Sequence, residues 1–336
     1  MKTQLMPKIE LHCHLDGSIP LNTIRKLCLH SGIKLPQQDY KLKKRIEADE
    51  NCESLEQYLR AFELPLSCLS SEEAFHIAAH DVVSSMAKEN VRYAEIRFAP
   101  LFSETDTLKA EGIIEAVLDG IRLAEKEDPI TVKLLLCGMR HFSEKKNLKT
   151  LELAQEFREK GVVGADLAGN EAAYPNDMFD YYFDFAQKKQ IPLTIHGGEC
   201  GNAESVRYAV LHGARRIGHG IAMEKEEEIM ELCKKEGIGI ELCPKSNLQT
   251  KAIGNIKDYP LQKFLDRGLK VSLNTDNRTV TDTTIENEFQ LLEEVVQMDA
   301  SKKVAVMKNA VDTSFATPAL KEKLQKELQN WELSNK

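Results

Sequence analysis

The stretch Lys8-Ile9-Glu10-Leu11-His12-Cys13-His14 reads as a β-strand ending in two histidines, and it is the first of eight short β-branched or apolar runs. The others are 92–99, 131–138, 162–168, 192–196, 215–219, 238–243 and 269–276. Between most of them lie segments of helical period, as in Met178, Tyr181, Tyr182 and Phe185, or Leu261, Phe264 and Leu265. Strand runs alternating with helical segments predict repeated βα units and a parallel sheet. Eight such units predict an α/β chain closed into a (β/α)8 barrel of the TIM type, with an open doubly wound sheet as the competing arrangement.

No low-complexity linker or internal repeat divides the chain, so residues 1–336 are expected to form a single domain. The irregularity is the stretch 15–90 between the first two strand runs, far longer than an ordinary βα connection. Its pattern is helical over 21–32, 55–62 and from Ser71-x-Glu73 to about 89. A helical insertion leaving the C-terminal end of the first strand would lie over the barrel mouth as a lid or pocket wall; the alternative is an extra peripheral layer. The stretch 301–330 predicts a docked pair of C-terminal helices.

The chain has 336 residues, 42% of them hydrophobic, and a formal charge of -8. That balance argues against nucleic acid or an anionic membrane surface as partner and favours an uncharged small molecule. Residues 1–10 contain no apolar secretory stretch and no later run approaches membrane-spanning length, so a cytoplasmic enzyme is expected. Eight cysteines without an export signal or a C-x-x-C pair are expected to be reduced thiols. Cys13 and Cys200 adjoin candidate site residues but read as packing residues.

Residues two apart on a strand face the same side, so His12 and His14 can converge on one ion while Cys13 turns away. His196 ends the fifth run and Asp276 the eighth, and the C-terminal face of a barrel is where such ends meet. Three imidazoles and a carboxylate suit zinc, with iron or cobalt possible on ligand type alone. His76 and His80 have ligand spacing on a helix but lack the zincin glutamate; His30, His141 and His212 read as structural. His219, between Gly218 and Gly220, ends the sixth run and can orient a water or take its proton. Glu199, three residues past His196, can serve as a general acid if its surroundings keep it protonated. The competing reading is a helix N-terminal carboxylate, since 202–212 looks helical.

These residues, with Leu15-Asp16-Gly17, Met139-Arg140-His141, Asp166-Leu167-Ala168-Gly169, Ser246-Asn247 and Ser272-Leu273-Asn274-Thr275-Asp276, resemble the adenosine deaminase family of the metal-dependent amidohydrolases. The resemblance runs from about Lys8 to the C-terminal helices. It implies one zinc per chain and hydrolytic deamination of adenosine and 2'-deoxyadenosine to inosine and 2'-deoxyinosine, a purine-salvage reaction. It also implies zinc on His12, His14, His196 and Asp276, proton donation to purine N1 by Glu199, and orientation of the attacking hydroxide by His219. Asp276 would also hold the hydroxide's hydrogen. By the same resemblance Asp16 contacts ribose, the Gly169 amide contacts the purine, His14 lies against the substrate, and Leu59 and Phe62 form a hydrophobic wall. No oligomeric state is implied.

Two positions depart from the family pattern. Gly197 stands where alanine is commoner, and Asn277 where many members carry a second aspartate facing purine N7. N7 is an acceptor, and a neutral amide can donate to it. Rival readings are related 6-aminopurine deaminases acting on adenine, on AMP or on another adenine nucleoside. Adenine-specific relatives resemble His-Leu-Glu-Gly, whereas Asp16 is the shorter acid that leaves room for ribose. AMP would require a cationic cradle that no basic cluster near the motifs supplies. A catalytically silent nucleoside-binding barrel conflicts with retention of every ligand and Glu199.

Overall fold

The computed structural model describes residues 5–49, 52, 55–293 and 295–335. Every strand run becomes a strand: β1 Lys8–His14, β2 Val91–Phe98, β3 Thr131–Met139, β4 Val162–Ala168, β5 Thr194–Gly197, β6 Arg216–His219, β7 Gly239–Leu242 and β8 Lys270–Leu273. All pair in parallel, in sequence order, as β1 to β4 and β5 to β8. Two bridges close the ring, Ala165 with Leu193 between β4 and β5 and Cys13 with Asp276 between β1 and the end of β8. Asp276 N–H donates to the His12 carbonyl at 2.8 Å and His14 N–H to the Asp276 carbonyl at 2.7 Å. The barrel expected from the run pattern is the observed fold, and its seam draws Asp276 onto the histidines of β1.

Alternation along the strands separates two environments. Ile9, Leu11 and Cys13 of β1 join the hydrophobic core, while Glu10 and His12, also fully buried, belong to the polar residues of the interior. Each crossover helix buries one stripe against the sheet. The helix Ala110–Glu127 buries Ile113, Ile114, Val117, Leu118 and Ile121, each contributing on the order of 1.5–3 kcal/mol. Its Gly120 lets the helix Glu72–Lys88 approach, since a Cβ there would lie 2.3 Å from the His76 carbonyl oxygen. Ser71 caps that second helix by accepting from Ala74 N–H. His80 pairs with Asp81 and Glu127 on the outside of the barrel.

The insertion forms helices Leu21–His30, Asp39–Ile46, Leu55–Leu59 and Glu63–Cys68 before reaching Glu72–Lys88, which packs in the outer ring. Two details differ from the sequence expectation. Met178 falls outside the helix Asp180–Lys189 and is 56% exposed; the helix instead buries Tyr182, Phe183 and Ala186, because packing on the sheet selects a stripe one position over. The reduced state expected of all cysteines is corrected at one pair, for Cys28 and Cys68 are joined by a disulfide. The first and fourth insertion helices bring their Cα atoms to 5.2 Å, inside bonding range. The expected C-terminal pair is present as Ala300–Thr313 and Pro318–Ser334. Among the described residues no helix is long and apolar enough to cross a membrane.

Candidate metal centre and active site

The C-terminal ends of β1, β5, β6 and β8 bring His12, His14, His196, His219 and Asp276 together. Nitrogens of His12, His14 and His196 lie within 4.8 Å of one another, as do donor atoms of His12, His219 and Asp276. Asp276 Oδ1 stands 3.4 Å from Nε2 of both His12 and His14. Gly218 makes room for this cluster: a Cβ there would meet His12 Cε1 at 2.8 Å. His219 and Asp276 take left-handed backbone, φ 65° and 59°, a conformation that non-glycine residues hold only when their surroundings impose it.

The imidazoles are oriented from beneath. His12 Nδ1 pairs with Glu241 Oε2 at 2.8 Å, and His196 Nδ1 with Asp166 Oδ2 at 2.8 Å. A carboxylate accepts, so Nδ1 of each ring carries the proton and Nε2 presents its lone pair inward. His12 Nε2 is buried with no hydrogen-bond partner among the described residues. An orphaned lone pair among imidazoles and a carboxylate is the donor set a zinc-type cation requires. Burial, the largest influence, would raise the Asp276 carboxyl, but the adjoining imidazoles, His12 foremost, hold it well below the usual carboxylate range. Its Oδ2 accepts from Ser246 Oγ at 2.5 Å.

Arg97 bridges the two supporting carboxylates, reaching Asp166 and Glu241 at 2.8 Å each. Arg216 bonds the other oxygen of Glu241 at 2.5 Å and Glu95 at 2.6 Å. All five side chains are fully buried. Sequence reasoning missed Glu95, Arg97, Arg216 and Glu241. The available signal was charge at alternate positions in strands of a parallel barrel, which tolerates such charges inside only when they are paired.

Two groups flank the cluster. Tyr259 Oη donates to Asn247 Oδ1 and Asn247 Nδ2 to His219 Nδ1, each at 3.0 Å. His219 therefore carries its hydrogen on Nε2, 3.7 Å from Glu199 Oε2, and burial holds the ring neutral. Burial, reinforced by Asp276 and Glu171, pushes the Glu199 carboxyl up to about 8. The competing role of Glu199, a helix N-terminal carboxylate, is filled by other residues: Asn202 caps the helix Ala203–Leu211 and Glu204 lies in its first turn.

Asp16 Oδ1 is buried and has no hydrogen-bond partner among the described residues, and burial raises its carboxyl to about 6. Gly169 follows β4 with φ 105°, which a side chain would strain. Asn277 is buried, its Nδ2 donating to Tyr58 Oη at 2.8 Å while Oδ1 has no partner among the described residues. Tyr58 Oη also meets Thr281 Oγ1 at 2.8 Å, so the insertion reaches the loop beside Asp276, a contact sequence reasoning did not foresee. Phe62 packs against the Tyr58 ring, with centroids 6.0 Å apart; Leu59 is 47% exposed.

A closed parallel barrel with imidazoles and carboxylates gathered at its C-terminal mouth places the protein among the amidohydrolase-type barrel enzymes. Residues 7–331 match the family model described as adenosine deaminase, and the chain belongs to that family of hydrolytic deaminases. An adenosine deaminase of Enterococcus faecalis is 42% identical over 327 residues, 97% of each chain. That of Clostridium acetobutylicum is 37% identical over 326 residues, 96% of this chain and 97% of the relative. An Arabidopsis N6-mAMP deaminase structure gives a TM-score of 0.85 at 28% identity, covering 98% of this chain and 99% of that one. The adenine deaminase structure from Arthrobacter aurescens shares the fold, with a TM-score of 0.89 at 24% identity over 97% of this chain and 99% of that one.

Proposed function

We propose that this chain deaminates adenosine and 2'-deoxyadenosine by hydrolysis, with one zinc ion held by His12, His14, His196 and Asp276. The observation that carries this reading is the placement of the largely enclosed Glu199 carboxyl beside the donor cluster, its Oε2 3.7 Å from His219 Nε2, where burial raises its proton affinity. Addition of an oxygen to C6 breaks the conjugation of the purine, and the displaced electron pair needs a proton at N1. A neutral carboxyl within reach is the group to supply it. A zinc ion, when bound, lets water ionise near neutral pH.

Glu199 gives its proton to N1 as the oxygen of water bonds to C6. His219 directs Nε2–H at that oxygen; with Nδ1 already accepting from Asn247, the ring orients rather than abstracts a proton. Asp276 Oδ1 accepts the hydroxyl hydrogen and passes it to the amine, the C6–N bond breaks, and ammonia leaves. The proton released by the ionising water restores Glu199. Asp16 faces the ribose, the Gly169 amide and His14 the purine, and Asn277 uses its second amide hydrogen toward N7. Leu59 and Phe62 wall the substrate side of the insertion.

In this reading residues 1–336 are one catalytic domain working in cytoplasmic purine salvage, and 15–90 include a lid over the mouth. The Tyr58 contacts and the bond from Ala48 N–H to the Val280 carbonyl at 2.7 Å support that placement. The test is an ultraviolet assay on adenosine, 2'-deoxyadenosine, adenine and AMP in parallel, with metal analysis of the same sample. Rapid conversion of the two nucleosides is expected. Preference for adenine or AMP, or full turnover in a metal-free sample, overturns the proposal.

A further inference from the structure

Two residues beyond Gly169, the loop after β4 carries a second acid whose hydrogen-bond partners among the described residues are all main chain. Glu171 is 2% exposed. Its Oε1 accepts from Gly198 N–H at 2.7 Å, and its Oε2 from Glu199 N–H at 3.0 Å and Cys200 N–H at 3.1 Å. Three consecutive amides thus converge on one buried carboxylate, a concave arrangement that suits an anion. The loop so gripped needs an unusual backbone, since Gly198 has φ 71° and a Cβ there would lie 2.8 Å from Val206 Cγ2. Arg140 fixes the start of the same loop by donating to the His196 carbonyl at 2.7 Å.

We propose that Glu171 is a positioning residue for the deamination: it clamps the backbone of 198–200 so that the Glu199 carboxyl is presented at a fixed distance from the purine. This rests on the role of Glu199 proposed above. The clamp and the Gly169 amide belong to one short turn, so the group that meets the ring and the group that holds its acid are set by the same segment. Glutamine cannot replace this carboxylate. With its NH2 in either oxygen position, at least one of the three amide hydrogens faces another donor and loses its acceptor. The loop then shifts, and a small misplacement of a reacting group is enough to slow chemistry.

The test is a double-mutant cycle with Glu171→Gln and Glu199→Gln in the zinc-loaded enzyme. Glu171→Gln alone is expected to lower kcat roughly 10- to 100-fold with KM within about twofold, in line with loss of orientation. In the Glu199→Gln background the same change is expected to lower kcat less than about threefold, because residues acting as a unit are not additive. An equal fold-loss in both backgrounds overturns the proposal while leaving the role of Glu199 intact. Undiminished turnover of Glu199→Gln overturns the underlying reading instead. Should Glu171→Gln not fold, Glu171→Asp carries the same cycle: it keeps the charge, shortens the arm, and is expected to show the same confinement of its effect to the Glu199 background.

Discussion

Replacing Glu241 by glutamine separates the support of the proposed metal centre from its proposed ligands. Glu241 accepts four bonds. Oε2 takes His12 Nδ1 and Arg97 Nη2 at 2.8 Å each, while Oε1 takes Thr194 Oγ1 at 2.8 Å and Arg216 Nε at 2.5 Å. Glutamine keeps one oxygen, so two of those donors face an NH2 group. Where that group meets His12, the imidazole must present Nδ1 as acceptor and move its proton to Nε2, the nitrogen aimed at the cluster. Loss of such an outer partner lowers metal affinity about 10- to 100-fold, or about 1.4–2.7 kcal/mol. Folding suffers separately. Breaking a buried ion pair costs about 3–5 kcal/mol, and the lower end applies because Arg97 keeps Asp166 and Arg216 keeps Glu95. At roughly 2 °C per kcal/mol for a chain of this size, Tm should fall by about 6 °C. The assay is a competition titration with a chromogenic chelator, alongside thermal unfolding. Thr194→Val is the comparison, since it removes one neutral donor, costs about 1 kcal/mol, and should leave affinity within twofold. Equal zinc affinity in Glu241→Gln and Thr194→Val refutes the reasoning.

Three further outcomes are expected. Tyr58→Phe removes the acceptor of Asn277 Nδ2 and the partner of Thr281; a loss near 1 kcal/mol appears as a KM about fivefold higher for adenosine, and an unaltered KM excludes a role for this contact in binding. Asn277→Ala should lower kcat/KM for adenosine about tenfold, in keeping with one lost hydrogen bond, and leave a 7-deaza analogue unaffected; equal reaction of both substrates in the parent and the variant removes the N7 contact. Glu288 lies buried, and burial, partly offset by its Thr283 bond, raises its carboxyl to about 8. Between about 4.3, where the unfolded carboxyl ionises, and about 8, the folded chain holds a proton that the unfolded chain has lost. Stability therefore falls as pH rises through that window. Glutamine is isosteric with the neutral acid, so Glu288→Gln should exceed the parent in urea resistance at pH 7.5 and match it near pH 4.5; a difference independent of pH contradicts the assignment.

The strands were legible because a parallel barrel buries both faces of each one, leaving short apolar runs between helical segments. Runs such as 192–196 and 269–276 became Thr194–Gly197 and Lys270–Leu273, so only their ends moved. The gathering of His12, His14, His196 and Asp276 was legible for the same reason, since all sit at strand C-termini. The face beneath them was not. Glu10, Glu95, Arg97 and Arg216 alternate with apolar residues as on a half-exposed strand, and only ring closure turns the charged side inward. Tyr58 and Glu171 act through partners 219 and 28 residues away, separations that no local pattern encodes. The disulfide was equally hidden, because pairing among many cysteines does not follow from their spacing.

The site is the top layer of a column of charge that descends the barrel axis. Arg216 and Glu95 form its base, tied to Tyr93 Oη and to the Phe315 amide, both of which donate to Glu95. Arg97 and the carboxylates of Asp166 and Glu241 form the middle, and the histidines stand on them. Apolar side chains in those layers would fill the barrel as well, and replacing buried ion pairs by such residues is often neutral or stabilising. The column's function is therefore orientation: each carboxylate fixes one imidazole tautomer, and Arg97 fixes the carboxylates relative to each other. His219 and Asp276 follow the same logic at the rim, where left-handed backbone is held by bonds to Asn247, Ser246 and β1. A cation binding only the folded column adds stability in proportion to the logarithm of its concentration over Kd. Chelation should thus loosen the mouth of the barrel before its base, because the pair of Arg216 and Glu95 lies outside the donor cluster.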